Sequence, residues 1–300
     1  VSNRKFKQKL ILFVRRIFSF VVIVVTVLVT WFLLILLSIS KQQISTWTST
    51  WEESSTFVAI FQQIATVLLS LVVPLGIVAI NFFIPKIIVG LTAFEKWDYP
   101  EYILRMIFMR LYSLKIMTII ILLFTYWQVL EYCGTMTTAN LLISLFNGEL
   151  PTRPTTCNTC YENVVGQELV ILVFMDFLSE RIAPWGKKLM WIVIWKLKKQ
   201  KYRKEEFDVP LKVLSLIYHQ FLIWSTVPYF PLISIVASAV MFIAFHYDKI
   251  IVTKMNRKPT TSFSLKQAGS FFMLFYVLTF VITLLYYYYS FAILEHQVCG

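Results

Sequence analysis

Apolar runs of membrane-spanning length, separated by polar or basic segments, set the plan of this chain. Residues 17–37 are apolar apart from Ser19, Thr26, Thr30 and the indole of Trp31, which predicts a spanning helix. Residues 57–91 are too long for one straight crossing of a hydrocarbon core about 30 Å thick, and with Pro74, Gly76 and Pro85 they predict a kinked helix. Further spans are predicted over 111–130, 164–182, 210–224, 232–252 and 268–294, seven in all. Residues 185–204 contain an apolar run too short to cross, flanked by lysines and tryptophans, and predict an interfacial helix. Polar loops are expected at 38–56 and 131–163.

Four consecutive spans carry polar residues that fall on one side of a helical wheel. In the second, Gln62, Thr66 and Ser70 lie within about 80°, with Asn81 near about 100°. In the third, Thr118, Thr125 and Gln128 lie within about 80°. In the fourth, Ser179, Asp176 and Glu180 stand at about 20°, 80° and 120° from Glu168, with Val170, Val173, Phe174, Phe177 and Leu178 opposite. In the fifth, Asp208, Lys212, Ser215 and His219 share an arc of about 60°. A single buried hydroxyl more often joins helices than lines a path. A carboxylate at bilayer depth costs several kcal/mol, and Arg181, the basic residue of the fourth span, lies about 140° around from Asp176, so a hydrated route is expected there. Acidic pores favour cations. A lone His219 on such a face is more often a hydrogen-bonded structural group than a titrating or metal-binding one.

Composition agrees: 58% of residues are hydrophobic and 15% charged, against about 25% charged in soluble domains, so the chain reads as one polytopic all-α membrane domain without a soluble appendage. Its formal net charge of +12 raises nucleic acid as a partner. The Lys/Arg residues, however, sit between the apolar runs at 1–16, 95–115, 181–204 and 249–266, which points to inner-leaflet phospholipid instead. These segments alternate with Lys/Arg-poor ones, placing the N-terminal end in the cytoplasm and the C-terminal end outside. The chain begins at Val1 without Met or signal peptide and is expected to be part of a longer protein. Cys133, Cys157, Cys160 and Cys299 all fall on the expected outer side, which predicts disulfides with three connectivities open. A second C-x-x-C, as a four-cysteine zinc site needs, is missing, and no thioredoxin-like βαβ context surrounds the first. His219, Asp176 and a serine could be assembled on paper into a hydrolytic set. There is no nucleophile elbow, no H-E-x-x-H and no glycine-rich phosphate loop, so neither an enzyme nor a cofactor is expected.

The stretch Cys160, Tyr161, Glu162, Asn163, Val164, Val165, Gly166, Gln167, Glu168, followed by Asp176 and Phe177, resembles the signature of the transmembrane channel-like (TMC) family. Tyr161 stands where that signature has Trp, and Asn163 where it has Thr. Further matches are Asn81 and Pro85 followed by Glu95 and Pro100, then Glu206, Phe207 and Asp208 before LIYHQFLIW, and Cys299 with Gly300. The resemblance implies spans three to nine of a ten-span, anoctamin-like bundle that assembles as a homodimer, with a pore in each subunit. It places pore positions on Asn81, Thr118, Glu168, Asp176, Ser179, Glu180 and Asp208. Gln62, Thr66, Ser70 and His219 are secondary pore residues from the wheel analysis. The expectation is a cation-permeable, mechanically gated channel subunit of the plasma membrane or an endomembrane, with permeant cations, the bilayer and small cytoplasmic calcium-binding subunits as partners. The alternative is a lipid scramblase, or an accessory protein of the same fold. Direct calcium activation of the anoctamin kind is not expected, because the inner half of the bundle has too few acids.

Overall fold

In the computed structural model, residues 6–49, 56–97, 100–131, 161–198, 207–254, 256 and 265–292 are described. They form seven helices: α1 (Phe6–Ser49), α2 (Thr56–Phe94), α3 (Pro100–Glu131), α4 (Tyr161–Lys198), α5 (Val209–Thr226), α6 (Ile233–Lys254) and α7 (Leu265–Ala292). Five of these are long and apolar enough to cross a membrane, in the stretches Leu10–Leu37, Leu71–Phe94, Tyr102–Tyr126, Ile233–Thr253 and Gly269–Phe291. The two that fall outside this set, α4 and α5, carry Glu168, Asp176 and Glu180 and, on the other helix, Lys212, Ser215 and His219.

Two helices run further than the sequence suggests. α1 continues through residues expected to begin a loop and ends at Ser49, since SISKQQISTWTS holds no glycine or proline to stop it. α4 runs unbroken through Pro184 to Lys198, so the fourth span and the expected interfacial helix are one element. Proline removes one backbone donor at this point, and the helix continues on both sides of it.

The chain divides within α4, between Glu168 and Leu169, into two compact units. In the first, α1, α2 and α3 pack on one another. Val73, Ile77, Ile84 and Ile88 form a helical-period stripe on α2, and Phe108, Leu111, Tyr112, Ile119 and Leu122 are buried on α3. Between helices that already lie in lipid, such side chains stabilise the contact through van der Waals packing, because lipid tails are as apolar as leucine. Gly76 allows α1 and α2 to approach closely, for a Cβ there would lie 2.6 Å from Leu37 Cδ1. The outward face of α1, with Phe13, Phe18, Phe20 and Phe32, is apolar and exposed, as a lipid-facing helix requires.

An ionic knot closes the end of this unit. Lys96 adopts a left-handed φ of 48° just past α2, which turns the chain so that Trp97 Nε1 donates to Glu95 Oε2 at 2.6 Å. Arg110 of α3 meets the other Glu95 oxygen at 2.8 Å and donates to Thr92 Oγ1 at 3.0 Å. The Arg16 guanidinium stacks on Trp97, 3.8 Å from the ring centroid. Burial alone pushes the Glu95 carboxyl up, but these donors and the Arg110 charge outweigh it and hold the group below its ordinary range.

In the second unit, α5 packs against both α6 and α7. Leu214, Tyr218, Phe221 and Leu222 of α5 are almost completely buried, as are Ile233 of α6 and Thr279 of α7. Trp224 meets Tyr276 and Phe280 of α7 edge to face, and Tyr287 Oη donates to the Trp224 carbonyl at 2.6 Å. A tight turn over 227–232 joins α5 to α6.

Candidate functional site

The carboxylates of α4 are spaced for separate surroundings. Glu168 sits in the first unit, where it is buried and accepts a hydrogen bond of 2.6 Å from Tyr126 Oη of α3. Hydrogen bonds to an ionised group contribute about 1.5–3 kcal/mol. Tyr126→Phe is therefore expected to destabilise the protein by about 2 kcal/mol, measured as a fall in thermal midpoint in detergent, with Tyr126→Leu falling further through lost packing.

In the second unit, Asp176 is 3% exposed, and its Oδ2 lies 3.2 Å from Nδ1 of His219, which is 5% exposed on α5. With Asp176 ionised, Nδ1–H donates and Nε2 is left as an acceptor. The Phe177 ring lies beside the imidazole, with centroids 6.1 Å apart. No partner meets Nε2, the position a hydrolytic nucleophile takes beside a histidine base, among the described residues.

One turn further along α4, the charges balance. Asp248 of α6 takes Arg181 Nη1 on one oxygen at 3.0 Å and Lys212 Nζ of α5 on the other at 3.1 Å. Glu180 lies 3.8 Å from Lys212 and 3.9 Å from Arg181. The Arg181 backbone carbonyl accepts from Tyr247 Oη, and its guanidinium lies over the Phe177 and Tyr247 rings. Two acids and two bases thus tie α4, α5 and α6 together with no net charge, whereas Asp176 is answered by an imidazole.

The remaining residues singled out in the sequence fall elsewhere. Thr118 is buried and donates to Leu114 O at 2.8 Å, and Thr125 donates to Ile121 O at 2.9 Å, both within α3. Ser179 donates to the Asp176 backbone carbonyl at 2.9 Å. Asn81 is half-buried on α2. Asp208 is exposed and caps α5, accepting from Leu211 N at 3.4 Å, with Pro210 in the first turn. The side chains of Gln62, Thr66, Ser70 and Gln128 lie outside the described residues, as do Cys133, Cys157, Cys160 and Cys299. Sequence reasoning missed Tyr126 and Asp248. A tyrosine inside an apolar run reads as core or interface, and Asp248 is hidden by its position at the basic end of its helix.

Residues 160–268 match the family model described as TMC domain. The chain is 37% identical over 90 residues to human transmembrane channel-like protein 6, a match covering 30% of this chain and 11% of that protein. It is 26% identical over 204 residues to human transmembrane channel-like protein 5, covering 68% and 18%. It is 24% identical over 230 residues to the human voltage-gated chloride channel TMC4, covering 75% and 31%. The matched stretches thus span less than a third of the length of each of these relatives.

Proposed function

Because the chain belongs to the TMC family, we propose that it forms part of an ion-channel subunit whose permeation path runs along the acidic face of α4 and the polar face of α5. The observation that carries this reading is Asp176: a buried carboxylate, in an otherwise apolar stretch, whose partner among the described residues is an imidazole and not a lysine or arginine. Such a charge is stable at bilayer depth when a hydrated route reaches it. The neighbouring group of Glu180, Arg181, Lys212 and Asp248 sums to zero, so Asp176 sets the local sign of the field. A negative field favours cations. Mechanical gating, seven spans in this chain within an anoctamin-like bundle, homodimeric assembly and a plasma-membrane location belong to the same proposal.

A second reading is anion conduction, favoured by the name of the relative TMC4, a voltage-gated chloride channel. Reversal potentials decide between the two. With a tenfold potassium chloride gradient across the membrane, a cation path reverses near the potassium equilibrium potential and an anion path near that of chloride, about 58 mV either side of zero. Reversal on the potassium side is expected; reversal on the chloride side overturns the assignment of sign.

A further inference from the structure

Two arginines of α1 lie where the membrane-spanning stretches of α2 and α3 meet. The stretch in α2 stops at Phe94 and the one in α3 begins at Tyr102, so the corner between them marks one face of the bilayer. Arg15 lies over the Phe94 ring, 5.3 Å from its centroid, and Arg16 over Trp97 at 3.8 Å, while Trp97 stacks in turn on Tyr102 with centroids 6.1 Å apart. These contacts hold both guanidinium groups at the corner and leave N–H donors for another partner. Glu95 does not supply it: that carboxylate is 0% exposed and is bound by Arg110 and Trp97. Among the described residues no ion pair or hydrogen bond engages Arg15 or Arg16, and Arg16 Nε is buried without an acceptor. Lys96, carried past the end of α2 by its left-handed φ of 48°, adds an exposed third cation.

We propose that Arg15 and Arg16 form a binding site for the phosphate of an anionic phospholipid, whose acyl chains run along the exposed apolar face of α1. Charge and depth select this occupant. A guanidinium presents paired N–H donors that match two phosphate oxygens, and such charge-assisted pairs are stronger than neutral hydrogen bonds. At the face of a bilayer, the phosphates within reach of these donors are those of the headgroup layer, and an anionic headgroup is attracted further by each nearby Lys or Arg. Ile17, Phe18, Phe20 and Val21 follow the arginines on α1 and are all exposed. Phe18 also meets Phe94 edge to face with centroids 6.4 Å apart, so an apolar bed for the chains begins directly beside Arg15. Because the rings already hold the guanidinium groups in place, binding orders them little further. The site lies wholly within the first unit and does not depend on the permeation path.

The test titrates the purified full-length protein in a neutral detergent with phosphatidylserine and, separately, with phosphatidylcholine of the same acyl chains, and follows the rise in thermal midpoint as lipid binds. In wild type the half-saturating concentration of phosphatidylserine is expected to lie about tenfold or more below that of phosphatidylcholine, each arginine contributing about fivefold. The double variant Arg15→Gln with Arg16→Gln is expected to lose this preference. Lys188→Gln with Lys249→Gln removes two basic side chains of the second unit and is expected to keep it. An unchanged preference in the arginine variant overturns the proposal, and so does an equal loss in the lysine variant, which would show a response to net charge alone. Inorganic phosphate is expected to leave the midpoint unmoved; protection equal to that of phosphatidylserine overturns the assignment to lipid. Where the double variant does not accumulate, Arg15→Gln alone decides, since Arg15 has the longer ring contact of the two, and an unchanged preference there overturns the proposal.

Discussion

Asp176→Asn is expected to lower single-channel cation conductance and the cation-to-anion permeability ratio by about tenfold, a change of about 1.4 kcal/mol in the energy of an ion in the path. The substitution keeps shape, and its amide oxygen still accepts from His219 Nδ1, so the contact between α4 and α5 persists. What disappears is the charge. A unit charge about 5 Å from a passing cation contributes about 3 kcal/mol at an effective dielectric constant near 20, and mobile water and counter-ions in the path reduce this. Asp248→Asn provides the contrast. It removes charge from a balanced group bound by Arg181 and Lys212, and is expected to impair folding more than permeation. Single-channel recording together with yield of folded protein separates the two, and unchanged conductance in Asp176→Asn removes Asp176 from the path.

Arg110→Met is expected to have the largest effect on stability, a loss of about 3–5 kcal/mol. Glu95 is 0% exposed, and Arg110 is its cationic partner at 2.8 Å, so the substitution leaves a buried carboxylate served by Trp97. The double substitution Glu95→Gln with Arg110→Met removes both charges and is expected to recover most of the loss, because the desolvation cost disappears with the charge. Thermal midpoints in detergent give the comparison, and additive losses in the double variant would contradict a buried ion pair. The pH response follows from the direction of the Glu95 shift. Its folded value lies below the unfolded one, so the pair stabilises the protein throughout the neutral range, and that contribution is lost as pH falls through the lowered value. The double variant is expected to lack this acid-dependent part.

Much of the architecture was legible in hydrophobicity. The apolar runs correspond to helices, and the five that qualify as spans do so on length and composition alone, which are local properties. Helix ends were less legible. The polar end of α1 and the passage of α4 through Pro184 depend on how the backbone is satisfied over several turns, which residue type encodes weakly. At the candidate site, the wheel placed Asp176 and His219 each on the polar side of its own helix. Which helix each would meet depends on tertiary packing, and so does the partner of Glu168. Lys212 illustrates the same limit: its stripe was visible, but its ties to Asp248 and Glu180 needed three helices to be placed together.

The most direct test of the central claim is flux through the purified full-length protein in liposomes, with potassium efflux and movement of a fluorescent phospholipid recorded from the same preparation. The account predicts potassium flux that falls about tenfold in Asp176→Asn, with phospholipid staying in its leaflet. Rapid phospholipid movement with little potassium flux, in wild type and Asp176→Asn alike, would contradict it and identify a scramblase.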